Sequence, residues 1–352
     1  MYAIGFFFGG GQRMVQNEPG MFIGPIASVF GYIIDVIFNI IYNNITVYHS
    51  LGFSIIALTV IVRTLMLPLA VKQQKSMMAM QRLTPEMQKI KKKYSGRDKE
   101  SQQRMNAEIQ KLYADNKVNP LGGCLPLFIQ MPLFFGLSFI MQQSYLYVTR
   151  LGTLYSQISE YLITQVHEYY LIIGPLATPR VPDRVLNAPI GERIDISIVS
   201  HMNRVLNAFD IDDWHSIFNQ LPAHHYDNLR YLYDQKTVIE NFMGLALTEA
   251  TGAGWPGIMI PILAVLSAAL TSWVSMKVAV VTDENARRQQ KIMMAIMPIM
   301  MGVMTIGLPA GVGIFWITSS VYQVGQQLVI NRRSGIGLFT DNSGKEIIES
   351  KQ

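Results

Sequence analysis

The chain has 352 residues, of which 50% are hydrophobic and only 15% charged. That charged share is well below the roughly one quarter usual in soluble domains, so composition points to an integral membrane protein. The formal charge of +5 means little as a total, because the charges are segregated along the chain. The single cysteine, Cys124, excludes an internal disulfide framework and a cysteine-rich metal site.

Residues 1–23 read as an external N-terminal segment. MYAIGFFFGGGQRM lacks a basic start followed by an apolar run and a cleavage site, so no secretory signal is expected. With Cys124 far downstream, no lipoprotein anchor is expected either. Residues 24–48 are apolar but carry Ser28, Tyr32, Asp35, Asn39 and Asn43 at helical spacing. This stripe predicts an amphipathic helix lying in the membrane interface. A span with Asp35 facing a helix bundle is the competing reading.

The stretch 51–69, LGFSIIALTVIVRTLMLPL, is apolar except for Arg63. Nineteen helical residues cover about 28 Å, enough for the hydrocarbon core, and the first span is set at 51–71. A mid-helix arginine costs about 2.5–3.5 kcal/mol to insert. A charge kept there is expected to face a polar cavity and mark a functional site. Two plainer readings are a snorkelling arginine at a helix end and a buried strand of a soluble protein.

Residues 72–119 carry twelve basic and five acidic residues, which places them in the cytoplasm by the positive-inside rule. Two helices, Thr84–Tyr94 and Lys99–Lys117, are predicted around SGRD, forming an antiparallel hairpin with Thr84 as N-cap and Pro85 in the first turn. A solvated face accounts for most of the charges; contact with lipid headgroups or a ribosome is the sharper alternative. Residues 120–147 form the second span, with Pro126 and Pro132 as kinks.

The region 148–255 differs in kind. Between Arg150 and Thr251 there are seven basic residues, twelve acidic ones and five of the six histidines. It reads as an external helical insert, with helices at Tyr155–Tyr170, Asp195–Phe209 and Tyr226–Phe242 and a break at GPLATPRVPDR. His224, His225 and His215 with Asp212 and Asp213 match no standard zinc spacing, so surface histidines are expected and no metal. Spans at 256–281, 292–308 and 312–330 follow, separated by a cytoplasmic loop at 282–291 and an external turn at Pro309–Gly311. A cytoplasmic tail, 331–352, ends the chain. Five spans with the N-terminus outside and the C-terminus inside put every basic region in the cytoplasm.

The fold class expected is therefore all-α: a five-helix transmembrane core with a cytoplasmic hairpin, an interfacial N-terminal helix and an external insert. The last span carries Thr318, Ser319, Ser320 and Gln323 after Phe315 and Trp316. With Thr59, one helical turn before Arg63, and Gln130, they could line a hydrated cavity. Taken singly, such residues more often bond their own helix or a neighbouring one. Met293, Met294, Met297, Met300, Met301 and Met304 are core filler one by one, and as a group an adaptable apolar surface. No nucleotide loop, GxSxG, HExxH or intramembrane aspartate pair is present, so neither an enzyme nor a cofactor is expected.

These motifs resemble the YidC/Oxa/Alb membrane protein insertases. The likeness is carried by GFSIIALTVIVRTLMLPL at 52–69, KQQKSMMAMQRLTPEMQKIKKKY at 72–94 and NPLGGCLPLFIQMPLFFGL at 119–137. NFMGLALTEA at 241–250, IPILAVLSAAL at 260–270, QQKIMMAIMPIM at 289–300 and LPAGVGIFWITSSVYQVGQQLVI at 308–330 extend it. The resemblance implies a hydrophilic groove open to cytoplasm and lipid. Its arginine falls on Arg63, its threonine on Thr59, its aromatic residue on Trp316 and its second-span substrate contacts on Gln130, Met131 and Phe134. Ser319 and Gln323 join this set from the polar run. The implied function is insertion of nascent membrane proteins into the lipid of a bacterial plasma membrane without nucleotide hydrolysis. Ribosome–nascent-chain complexes and a Sec translocon are the implied partners, and DNA is not one. The insert at 150–240 departs from the pattern, as does the short, weakly basic tail. A small-solute transporter or channel, and an external binding module on a membrane anchor, are the alternatives.

Overall fold

A computed structural model describes residues 23–94, 98–116, 118, 125–180, 194–252, 255–278 and 284–333. Those residues are almost wholly helical. The expectations for 1–22, the SGR of the hairpin turn, 119–124, VPDR at 181–184 and the tail beyond Arg333 lie outside them. The chain divides into two compact units: 1–62, 127–265 and 300–318 form the first, and 63–126, 266–299 and 319–352 the second.

The first unit begins with α1 (Ile23–Asn44). Ala27, Gly31, Ile34, Phe38 and Ile41 recur at three- and four-residue spacing and are its buried stripe. Of the polar stripe, Ser28, Tyr32 and Asn43 are exposed, and Asp35 and Asn39 are half-buried. The Asp35 carboxylate accepts from the Thr149 amide (2.8 Å) and hydroxyl (2.9 Å). The helix Gly24–Asn44 is long and apolar enough to cross a membrane, and so is the bent pair Ser50–Leu65 with Leu67–Gln74. Met259–Ser275 and Ala295–Ile306 are shorter apolar helices.

After α1 come α2 (Ser50–Leu65), whose last residues fall in the second unit, and α6 (Leu125–Gln142), reached after the hairpin. Leu51, Ile55, Leu58, Leu133, Phe134, Leu137, Val312 and Phe315 belong to one buried core. Full burial of such side chains stabilises by about 1.5–3 kcal/mol each. A short α7 (Ser144–Tyr147) leads into the insert, built from α8 (Thr149–Gln165), α9 (Tyr169–Ala177), α10 (Val199–Ala208), α11 (Ile211–Gln220) and α12 (Ala223–Glu240). The insert has its own core, with Tyr155, Ile158, Met202, Leu206, Trp214, Ile217 and Leu229 at its centre.

The helices of the insert differ from the sequence reading in their bounds and in their number. The first helix stops at Gln165, Glu168 takes φ +61°, and YYLIIGPLA starts a new helix that tolerates Pro175 near its end. Helix α11 was not expected at all. Its signal is local: Asp210 and Asp213 form a reciprocal capping box, each carboxylate accepting the other's amide at 3.0 Å. Among the described residues, no three His, Cys, Asp or Glu gather as a metal site. His225 instead sits 2.9 Å from the Tyr161 hydroxyl.

Lys236 is buried beside Glu240, its ammonium 2.8 Å from the carboxylate. The rings of Tyr155, Trp214 and Tyr233 lie 5.3–5.4 Å from the same nitrogen. The Tyr155 hydroxyl donates to Glu240 at 3.3 Å.

The insert returns through the two-stranded hairpin β1 (Asn241–Phe242) and β2 (Leu245–Ala246). A strap at 247–252 then closes the ends of two helices, α14 (Glu284–Ile306) and α15 (Ala310–Arg333). Thr251 and Gly252 amides donate to the Leu308 and Ile306 carbonyls, and Ala310 and Gly311 amides donate to Glu249 and Leu247. Helix ends leave such groups without intrahelical partners, so the strap satisfies both sides of the turn. Helix α13 (Met259–Val278) packs against α14 through Gly302, where a side chain would strike Val265.

In the second unit, α2 ends at Leu65 and α3 (Leu67–Arg82) begins. Pro68 has no amide hydrogen to continue the ladder, which accounts for the break at Met66. The hairpin pairs α4 (Thr84–Lys93) with α5 (Lys99–Asp115). Thr84 is not the N-cap: Leu83 holds that place with helical angles and no side-chain cap, because α3 runs almost directly into α4. Asp98 does cap α5, accepting from the Ser101 amide at 2.9 Å. Lys93 bridges to Glu108 at 3.0 Å and the Tyr113 hydroxyl donates to Met87 Sδ, so the two helices run antiparallel.

Candidate functional site

The predicted residues divide between the units. In the first, Phe134 on α6 and Trp316 on α15 are brought together, their rings stacked at 5.0 Å with planes 11° apart. Both helices carry these aromatics among the residues of the main core. Gln130 lies one helical turn before Phe134, and its Nε2 is buried with no hydrogen-bond partner among the described residues. Met131 is 40% exposed beside it. Thr59 is buried, and its hydroxyl donates to the Ile55 carbonyl at 2.6 Å. Only its oxygen lone pairs are left for another group, as expected of a threonine inside a helix.

In the second unit, the Arg63 Nε is buried and finds no acceptor among the described residues. The Tyr322 hydroxyl lies 3.0 Å from Thr64 Oγ1, so α15 is held directly beside the arginine's turn of helix. Ser319 is buried with its Oγ unpartnered, and Gln323 is half-buried one turn further on.

Below these runs a polar ladder that sequence reasoning missed. Gln327 Nε2 donates to Ser275 Oγ at 2.9 Å, and Ser275 donates to the Thr271 carbonyl at 2.8 Å. Thr271 in turn donates to the Ser267 carbonyl at 3.0 Å, with the Ser320 carbonyl at 3.4 Å. Its signal was the pair Thr271 and Ser275 one turn apart on an apolar helix, facing Ser320 and Gln327 two turns apart on another. Polar pairs of this kind join helices in lipid at about 0.6 to 2 kcal/mol each. The methionine-rich helix is open on one face: Ile292, Ile296, Met297, Ile299, Met300 and Val303 are all exposed.

A buried guanidinium nitrogen with no acceptor among the described residues offers charge-assisted hydrogen bonding to an anionic or carbonyl oxygen.

The chain is 28% identical over 283 residues to the membrane protein insertase YidC of Oceanobacillus iheyensis, covering 80% of this chain and 74% of that one. It is 26% identical over 322 residues to the YidC insertase of Streptomyces avermitilis, covering 88% of this chain and 60% of that one. An 84-residue stretch is 52% identical to the membrane protein insertase YidC 2 of Bacillus anthracis, and this match spans 24% of the chain and 33% of the relative. The pattern defining the 60Kd inner membrane proteins matches residues 41–335. The chain belongs to that family, the YidC/Oxa/Alb group of membrane proteins.

Proposed function

We propose that the chain is a membrane protein insertase that moves apolar segments of nascent proteins from the cytoplasm into the bilayer through a groove containing Arg63. The observation that carries the reading is the buried Arg63 Nε without an acceptor, on a helix that is otherwise apolar. In this reading five helices cross the membrane: α2 continued into α3, then α6, α13, α14 and α15. The hairpin α4–α5 and the tail face the cytoplasm and the insert faces outward. Helix α1 lies at the outer interface.

A substrate with a short polar or acidic external tail enters with the tail leading. Arg63 attracts it and replaces part of its hydration, since its Nε has no bond to break first. Thr59, Gln130, Ser319 and Gln323 offer further hydrogen bonds, while Met131, Phe134 and Trp316 contact the apolar part. The segment then moves sideways into lipid, driven by burial of about 20 apolar residues. No nucleotide is consumed. Ribosome–nascent-chain complexes and a Sec translocon are the proposed suppliers.

The test is insertion of a single-span substrate with an acidic external tail into proteoliposomes carrying the protein. Arg63→Ala is expected to lower insertion at least severalfold and Arg63→Lys to restore part of it, with a neutral-tailed substrate less affected. Equal insertion by Arg63→Ala and the parent chain for the acidic tail overturns the role given to Arg63.

A further inference from the structure

The tip of the β1–β2 hairpin is unusual for a water-facing turn. Its two central residues, Met243 and Gly244, take φ of +54° and +87°. That geometry belongs to the two-residue hairpin turn in which asparagine or aspartate followed by glycine is preferred. Here a methionine occupies the left-handed position, and it is 77% exposed. The chain thus holds a long apolar side chain outward at the position where a small polar one fits best.

The hairpin beneath that tip is firmly seated. Phe242 packs edge-on against Phe53 at 5.5 Å and against His49 at 5.6 Å. Its ring lies so close to Gly52 that any side chain there would collide with it. His49 Nδ1 sits 3.3 Å from the Met243 amide and 3.1 Å from the Asn241 carbonyl, bonding one or the other according to its tautomer. The Gly244 amide donates to Asn241 Oδ1 at 2.9 Å.

Immediately before His49, the connection between α1 and α2 exposes Ile45 (74%), Val47 (40%) and Tyr48 (66%). The 45–48 run and the tip residues Met243 and Gly244 carry no charge. The apolar surface continues along α2 through exposed Phe53, Val60 and Ile61. On a membrane-spanning helix those three face lipid, so the lip and the lipid-facing side of α2 form one surface. Tyrosine at such a margin is typical of the headgroup level of a bilayer.

We infer that Ile45–Tyr48 and the Met243 tip form an apolar lip embedded in the headgroup region of the outer leaflet, binding lipid. The inference rests on the topology proposed above. The lip fixes the depth of the first turn of α2.

The test places bimane on a single cysteine at Met243→Cys or Tyr48→Cys in a Cys124→Ser background of the full chain, in phosphatidylcholine liposomes. Doxyl lipids labelled at the headgroup or at acyl position 5 are expected to quench both probes several times more than aqueous iodide does. A Tyr231→Cys probe on α12, exposed on the insert, is expected to show the reverse. Quenching of the Met243 and Tyr48 probes by iodide alone overturns the lip, and so does protection from both quenchers, which would mean cover by protein. Labelling of Tyr231→Cys by an impermeant maleimide on intact cells separates the outcomes. No labelling from outside overturns the topology; labelling with iodide-quenched lip probes overturns only the lip.

Discussion

The rings of Phe134 and Trp316 lie parallel within 11° and 5.0 Å apart, joining α6 to α15 at a pair drawn from segments almost two hundred residues apart in sequence. Stacked aromatic pairs contribute about 0.5–1.5 kcal/mol beyond the area they bury. A double-mutant cycle with Phe134→Leu and Trp316→Leu, read by thermal unfolding in detergent, is expected to show coupling of that size. Additive losses would mean that the rings touch without interacting.

The Thr64–Tyr322 hydroxyl pair predicts a different effect. Tyr322→Phe removes one hydrogen bond and keeps the ring, so the expected loss of stability is about 0.5–1.5 kcal/mol. Because Thr64 adjoins Arg63, the variant is also expected to lower insertion of acidic-tailed substrates more than of neutral-tailed ones. Insertion assays on both substrates, alongside the unfolding curve, check this.

Lys236 and Glu240 are buried together, so removing one leaves the other without its counter-charge. Lys236→Ala is expected to destabilise the insert by about 3–5 kcal/mol. Lys236→Met combined with Glu240→Gln, which removes both charges and keeps most of the volume, is expected to cost much less. Limited proteolysis of the insert in the two variants distinguishes these outcomes.

The hairpin of α4 and α5 carries a pH prediction. Hydrogen bonds from Tyr94 and Lys93 hold the Glu108 carboxyl below its ordinary range. Hydrogen bonds with Glu108 and Tyr94 raise the Lys93 ammonium above its own. A lowered carboxyl contributes stability above its unfolded value and loses it as pH falls through the folded one. A raised ammonium contributes below its unfolded value and loses it as pH rises through the folded one. Protection is therefore expected to be flat between about pH 4.3 and 10.4 and to fall outside that window. Hydrogen exchange of peptides within 84–115, corrected for intrinsic rate, measures it. Glu108→Gln should abolish the acid limb. Both groups are exposed, so the change is small.

The hairpin helices were legible because Pro85 in a first turn and the break at SGRD act within a turn or two of chain, whereas the Asp98 cap was missed and Thr84 taken for a cap it is not. The Arg63 helix was legible because one charge in an apolar run contradicts its surroundings. Helix α11 was missed although its capping box was visible in Asp210 and Asp213, because two adjacent aspartates beside a histidine also suggest a ligand cluster. The break at Met66 had its cause in Pro68, but a proline near the end of an apolar run equally suits a span's exit. What no local pattern could give is the pairing of Phe134 with Trp316, of Thr64 with Tyr322, or of Asp35 with Thr149. Each depends on distant segments folding side by side, and the family resemblance supplied the first only as a shared role.

The insert leaves the bundle where Asp35 grips Thr149 and rejoins it where Leu247 and Glu249 receive the first amides of α15. Between these two moorings its helices close around a separate core of their own. Such an arrangement lets the insert be exchanged, shortened or elaborated as a cassette. The moorings, rather than the cassette, are what a transplant between relatives must preserve.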